Sequence, residues 1–186
     1  MKSINFLLTF LIVSSIINLN AYSQWQQTNG PVGGSSLCLA VSGSTIYSGG
    51  YGGISKSIND GQSWFPVNNG LPSIPNVISL LISGSNIFAG TQLEGIFLST
   101  DNGSSWNAVN NGLPFANYDV YALVESGSNI FAGTYNGVFL TTNNGLNWNA
   151  VNFGLPKFFS VVKALAVSGS YIFAGTIDGV FMSTNN

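Results

Sequence analysis

Arginine and histidine are missing from this chain, and only four lysines and six carboxylates supply charge across 186 residues. Each absence removes a class of function. Without arginine or a basic cluster there is no patch to neutralise a phosphate backbone, so nucleic acid is excluded as a partner. Without histidine, neither a Ser–His–Asp triad nor a His-ligated zinc site can be assembled. No metal and no cofactor is expected. The single cysteine, Cys38, rules out an internal disulfide framework. Solubility falls to Asn, Ser, Thr and Gly. Disorder is excluded from the other side, because 45% of the chain is apolar and 13% aromatic.

Residues 1–23 read as a secretory signal peptide. Lys2 gives a positive start, Ile4 to Leu19 is mostly apolar, and Ala21-Tyr22-Ser23 places small residues before a cut between Ser23 and Gln24. The alternative is a membrane anchor, but Asn5, Thr9, Ser14, Ser15 and Asn18 interrupt the run, which is marginal for a span of ~20 residues. The expected product is secreted or cell-surface, with no membrane insertion after cleavage.

Residues 24–186 are dominated by a repeat of 42 residues. SINDGQSW (57–64), STDNGSSW (99–106) and TTNNGLNW (141–148) recur in register, followed by a shortened STNN (183–186). A period of that length lies in the range of four-stranded propeller blades. Each unit divides into four short segments: a run such as Val77–Ile82, a second such as Ile87–Thr91 after a Ser-Gly-Ser turn, a third opening on glycine (137–142), and a fourth beginning at the tryptophan. Short aromatic and β-branched runs bounded by Gly, Asn and Ser are strands, and no helical period of useful length occurs. A β-solenoid is the competing architecture, but Asn102-Gly103 and Asn144-Gly145 are hairpin turns, which favour antiparallel neighbours. The expected fold class is all-β, a β-propeller of four-stranded antiparallel blades with about four blades present.

Within each octad the glycine (Gly61, Gly103, Gly145) supplies positive φ. The polar residue two before it (Asn59, Asp101, Asn143) accepts hydrogen bonds from its own turn. The tryptophan (Trp64, Trp106, Trp148) packs between sheets. Cys38 falls in a column with Ser79, Ala122 and Ala164, which reads as a small-residue packing site rather than a reactive thiol.

These octads resemble the Asp-box, Ser/Thr-x-Asp-x-Gly-x-x-Trp, of sialidases, sortilin-type receptors, photosystem II assembly-factor-like propellers and secreted bacterial repeat proteins. The resemblance covers nearly all of residues 25–186, although only Asp101 keeps the acid at the third position. It implies that the octads are structural turns and not catalytic elements. Sialidases of this fold hold the substrate carboxylate with arginines, which this chain lacks. A two-carboxylate glycosidase is no better served. Outside the octads stand only Glu94, Asp119, Glu125 and Asp178, and a strand would hold Asp119 and Glu125 about 20 Å apart at ~3.3 Å per residue. No catalytic residue is assigned.

The chain opens on Trp25-Gln26-Gln27-Thr28-Asn29-Gly30, which resembles the fourth segment of a repeat, and it ends just before a Gly-x-x-Trp is due. Two readings stand: a four-bladed ring closed by that first strand, or a propeller truncated at the C-terminus. The second is preferred, because a chain cut inside a hairpin leaves strand edges unpaired.

Sequence differs most between repeats in the turns joining second and third strands and in the links between blades. Loops on a rigid frame are where binding resides. Tyr51, Glu94, Tyr118, Asp119, Tyr135, Lys157 and Asp178 make an aromatic and polar set there, suited to a glycan or an extracellular protein by stacking and hydrogen bonding. The competing reading is ordinary exposed loop residues; Phe115, Phe158 and Phe159 read as inter-blade packing. The expected function is a non-catalytic binding or scaffold module. A fragment of a sialidase-like glycoside hydrolase and an assembly factor for a membrane complex are the alternatives.

Overall fold

The computed structural model describes residues 25–31, 34–114, 119–156 and 161–184. The leader expected at 1–23 therefore lies outside the described residues, as do Tyr118, Lys157 and the three phenylalanines Phe115, Phe158 and Phe159.

Every described element is a strand. Blade A comprises β1 (Ser36–Ser42), β2 (Thr45–Gly50), β3 (Gly53–Ser57) and β4 (Phe65–Pro66); blade B comprises β5 (Val77–Ser83), β6 (Asn86–Thr91), β7 (Ile96–Ser99) and β8 (Asn107–Ala108). Blade C comprises β9 (Val120–Ser126), β10 (Asn129–Thr134), β11 (Gly137–Thr141) and β12 (Asn149–Ala150), and blade D comprises β13 (Val162–Ser168), β14 (Tyr171–Thr176) and β15 (Gly179–Ser183). Each sheet is an antiparallel meander in chain order. Three have four strands, and blade D has three. The sequence reading is met for blades A to C, with the fourth strand starting one residue after the tryptophan and only two residues long. No strand forms over 25–31, where the sequence suggested one.

The blades stack through their first strands, β1 on β5, β5 on β9 and β9 on β13. The cores lie between blades rather than within them. Tyr47 and Ile54 of blade A meet Ile87, Ala89 and Phe97 of blade B. Phe88 and Ile96 of blade B meet Ile130, Ala132 and Phe139 of blade C. The close approach explains the glycine of the second strands. A Cβ on Gly133 would stand 2.8 Å from Cγ1 of Val162 on the next blade, and one on Gly90 would stand 2.7 Å from Cγ1 of Val120. The outermost sheets lack such a neighbour. Leu39 and Val41 of β1 are 63% and 62% exposed, and Val180 of β15 is 75% exposed. The described chain is an open arc of four blades.

Candidate functional site

The octads form the same turn three times. Oδ1 of Asn59, Asp101 and Asn143 accepts the N–H of the residue four further on, at 2.9, 2.9 and 3.0 Å. The first residue of the octad does as much work as the third. Ser57, Ser99 and Thr141 accept the glycine N–H at 2.9, 2.8 and 2.9 Å and donate their hydroxyl to the side chain at the third position. Gly61, Gly103 and Gly145 have φ of 80°, 82° and 83°. Asp101 alone adds an acceptor oxygen for the Ser105 hydroxyl, at 2.6 Å. The bonds from the Ser105 side chain and backbone, then that from Ser99, hold its carboxyl at about 2.

Two of the three octad indoles cross to the preceding blade. Trp106 Nε1 donates to the Val67 carbonyl and Trp148 Nε1 to the Val109 carbonyl, both at 2.8 Å, and both side chains are buried. Trp64 differs: it is half-buried and donates to the carbonyl of Gly61 in its own turn. Sequence reasoning missed a further column four residues after each tryptophan. Oδ1 of Asn68, Asn110 and Asn152 accepts the N–H of Ile54, Ile96 and Val138, each at 2.7 Å. Their amides donate to the turn carbonyls of Gly52, Glu94 and Asn136. These asparagines fasten the second-to-third-strand turns, and their recurrence at 42 residues was the available signal.

Those turns carry the candidate residues. At the junction of blades A and B, Tyr51 is exposed and bridges to Asn76, while Gly52 N–H donates to the Pro75 carbonyl. Tyr51 also lines a small cleft of about 80 Å³ with Ser48, Ser55 and Asn68. At the junction of blades B and C the structure brings Glu94, Asp119 and Tyr135 together. Asp119 is buried, and both carboxylate oxygens are engaged: one accepts the Leu93 N–H at 2.9 Å, the other the Tyr121 hydroxyl at 2.8 Å. Its carbonyl accepts the Tyr135 N–H. Asp119 thus ties the turn of one blade to the first strand of the next, and its carboxylate is spent on that tie. Glu94 is exposed beside it, and Asp178 is exposed on blade D. Asp119 immediately precedes β9 and Glu125 lies within it near its other end, where it accepts the Ser83 hydroxyl of blade B at 2.8 Å.

Two residues of this region escaped the sequence reading. Burial, then the hydrogen bond to Asp119, push the Tyr121 phenol up to about 12. The Lys163 ammonium of blade D sits 3.3 Å above the centre of its ring, a cation–π contact. Tyr121 and Lys163 occupy the same column of successive blades, so the repeat could have paired them. Cys38 sits at another inter-blade contact: its thiol points to the Val77 carbonyl at 3.7 Å, as the Ser79 hydroxyl donates to the Val120 carbonyl at 2.8 Å. Burial pushes that thiol up to about 11. Among the described residues, no group of three or more His, Cys, Asp or Glu side chains could hold a metal ion.

No family model matches the chain, and no curated protein matches it. Solved structures do. The chain is similar to the computationally designed Ika4 protein, at 16% identity and a TM-score of 0.63, over 86% of this chain and 96% of that one. It is similar to an ancestral GH74 enzyme at 25% identity and a TM-score of 0.68, over 81% of this chain and 23% of the enzyme. It is also similar to YCF48 bound to D1 peptide, at 19% identity and a TM-score of 0.62, over 79% of this chain and 50% of that one. The chain thus spans nearly all of the designed protein but half or less of the other two. These likenesses agree with the stacked four-stranded sheets, and the described residues form a partial β-propeller of four blades.

Proposed function

We propose that this chain is a non-catalytic binding module whose recognition surface is the face of second-to-third-strand turns, and that its target is a protein segment or glycan outside the cell. The observation that carries this reading is an exposed rim on a fastened frame. Tyr51, Leu93 and Ile177 are 59%, 61% and 70% exposed at equivalent or adjacent turn positions, while Asn68, Asn110 and the Asp119 carboxylate anchor the backbone beneath the first two of these turns. Exposed aromatic and apolar tips on a backbone that cannot shift bind at low entropic cost. Glu94 and Asp178 add hydrogen-bond acceptors at the rim.

A peptide is the favoured class, because a propeller of this shape, YCF48, is known with a peptide bound. Within the same reading the octads are Asp-box turns and the leader directs export. The likeness to a GH74 enzyme supports the second reading, a piece of a glycoside hydrolase. Retention tests decide. The chain immobilised on a sensor is challenged with a peptide library and a glycan array, beside Tyr51→Ala and Glu94→Ala variants of unchanged unfolding midpoint. Binding that drops about tenfold or more in the variants supports the rim, since truncating a contact anchor costs over ~1 kcal/mol. Retention that neither variant alters counts against it. Turnover of a chromogenic glycoside would replace it with the hydrolase.

A further inference from the structure

One turn of the rim departs from the repeat. Blade B holds three residues, Gln92, Leu93 and Glu94, between Thr91 and Gly95, where blades A, C and D hold two between the matching strand ends. The longer turn is held at every N–H. Gln92 donates to the Asn76 carbonyl and Leu93 to Oδ1 of Asp119, both at 2.9 Å, and Glu94 donates to the Thr91 hydroxyl at 3.2 Å. It is also strained. Leu93 has φ of 75°, and the other described non-glycine residues with positive φ are Asp60, Asn102 and Asn144, whose short polar side chains tolerate it. Leucine does not, yet its side chain is 61% exposed and joins none of the core clusters. Folding gains nothing from a leucine there that glycine would not supply, and strain of this kind collects at ligand-binding sites.

The turn is welded to its neighbours. Asn76, in the link between blades A and B, bridges to Tyr51 on one side and holds Gln92 on the other. Tyr51 and Leu93 therefore flank one backbone segment, and Ile74, 87% exposed, lies two residues before Asn76 in it. Three large apolar side chains thus meet water along one fastened strip. Its charge is of one sign. Glu94 is exposed and bonded through its backbone, and its carboxylate has no partner among the described residues. The two described lysines are engaged elsewhere: Lys163 lies on the Tyr121 ring, and Lys56 donates to the Asn102 carbonyl of an octad. Arginine is absent from the chain.

On the reading that the turn rim is the recognition surface, we propose that this strip takes a basic–apolar peptide segment. An arginine or lysine of the peptide pairs with Glu94, and its apolar neighbours lie over Leu93, Ile74 and Tyr51. Charge complementarity selects the class. An unopposed carboxylate beside apolar tips favours a cation flanked by apolar side chains, and it repels an acidic segment. A guanidinium suits the strip best, because it pairs with both carboxylate oxygens and stacks on an aromatic face such as that of Tyr51. The bond to Asp119 keeps the leucine tip beside Glu94, so little freedom is lost there on binding.

The test passes three synthetic peptides over the immobilised chain, identical but for a central arginine, glutamine or glutamate between leucines. The arginine peptide should bind about three- to tenfold tighter than the glutamine peptide, and the glutamate peptide should bind weakest. The arginine advantage should shrink as salt rises, vanish in Glu94→Gln, and pass to the glutamate peptide in Glu94→Lys. Leu93→Gly should weaken all three by about tenfold. Its unfolding midpoint should be unchanged or higher, because glycine accepts the positive φ without strain. Retention of none of the peptides overturns the proposal, as does an arginine preference that survives Glu94→Gln. A midpoint lowered by Leu93→Gly overturns it too, by making the leucine part of the frame. Equal retention of all three that still falls in Tyr51→Ala overturns the charge selection and leaves the rim as the recognition surface. Retention indifferent to Tyr51→Ala, Leu93→Gly and Glu94→Gln overturns both.

Discussion

Trp106 and Trp64 occupy the same position of the same repeat, yet one is buried against the preceding blade and the other is half in water. Their turns are alike: the same serine accepts the glycine N–H, the same third-position oxygen accepts the N–H four residues on, and φ at the glycine differs by two degrees. What differs is the neighbour. Trp106 finds Tyr47, Ile54 and the Val67 carbonyl of a complete blade, whereas Trp64 joins no core cluster of the described residues and donates to Gly61 in its own turn. The octad supplies the local turn, and the stacking of blades supplies the core. Stability in this chain is therefore a property of junctions, as expected for repeats that contact only their neighbours.

The largest effect should come from emptying a complete junction. Burying an indole removes ~150–250 Å² from water, so Trp106→Ala or Trp148→Ala should cost about 3–5 kcal/mol. Trp64→Ala should cost only about 1–2 kcal/mol, in keeping with its partial burial. Chemical denaturation of the three variants gives the ordering. Equal losses at all three positions would show that the indoles act within their own turns and not across junctions.

A second contrast separates the two environments at the scale of one methyl group. On Gly133, an added Cβ meets Val162 of blade D at 2.8 Å and its carbonyl at 3.1 Å. On Gly175, in the same column of the last blade, the nearest atom is Cβ of Ala164 at 3.4 Å in its own sheet. Gly133→Ala should therefore cost about 1–3 kcal/mol through overpacking. Gly175→Ala should be neutral or stabilise by a few tenths of a kcal/mol, because alanine restricts the unfolded chain. Thermal unfolding of the pair reads the difference, and a loss as large at Gly175 would mean that its face is covered.

This end effect explains what could be read in advance. The blades were legible because a 42-residue period aligns tryptophan, glycine and the small-residue column of Cys38 without reference to partners. The asparagines Asn68, Asn110 and Asn152 recur as regularly, but polar residues after a strand look like linker until the buried N–H groups that they satisfy are known. Asp119 read as part of a binding surface because its sequence neighbours are loop-like; burial and two donors turn its carboxylate inward. The segment at 25–31 matches a fourth strand in sequence, and still forms none, because a strand needs an edge to pair with and none of the described strands pairs with it. Periodicity reports the environment of a residue inside a repeat array, and loses that power at its ends.

The smallest contrast lies among the octads themselves, where Asp101 stands with Asn59 and Asn143 in otherwise matching turns. Only the acid titrates. Its carboxyl is held at about 2, below its ordinary 3.8, by the Ser105 hydroxyl and N–H and then by Ser99. A depressed value means that the folded chain favours the charged form. That contribution is complete above the unfolded value, shrinks as pH falls from about 4 towards about 2, and is absent below both. Asp101 is on the surface, so solvent screens the effect and it should be modest. The difference in unfolding midpoint between the native chain and Asp101→Asn should be flat at neutral pH and change only across that acid window. Asn143→Asp should install a second slope over the same range, provided that Asn147 donates its N–H to the new carboxylate as it does to the amide. A difference curve flat down to pH of about 2 would mean that the Ser105 bonds form equally with the protonated acid, and the three octads would then be alike in chemistry as well as in shape.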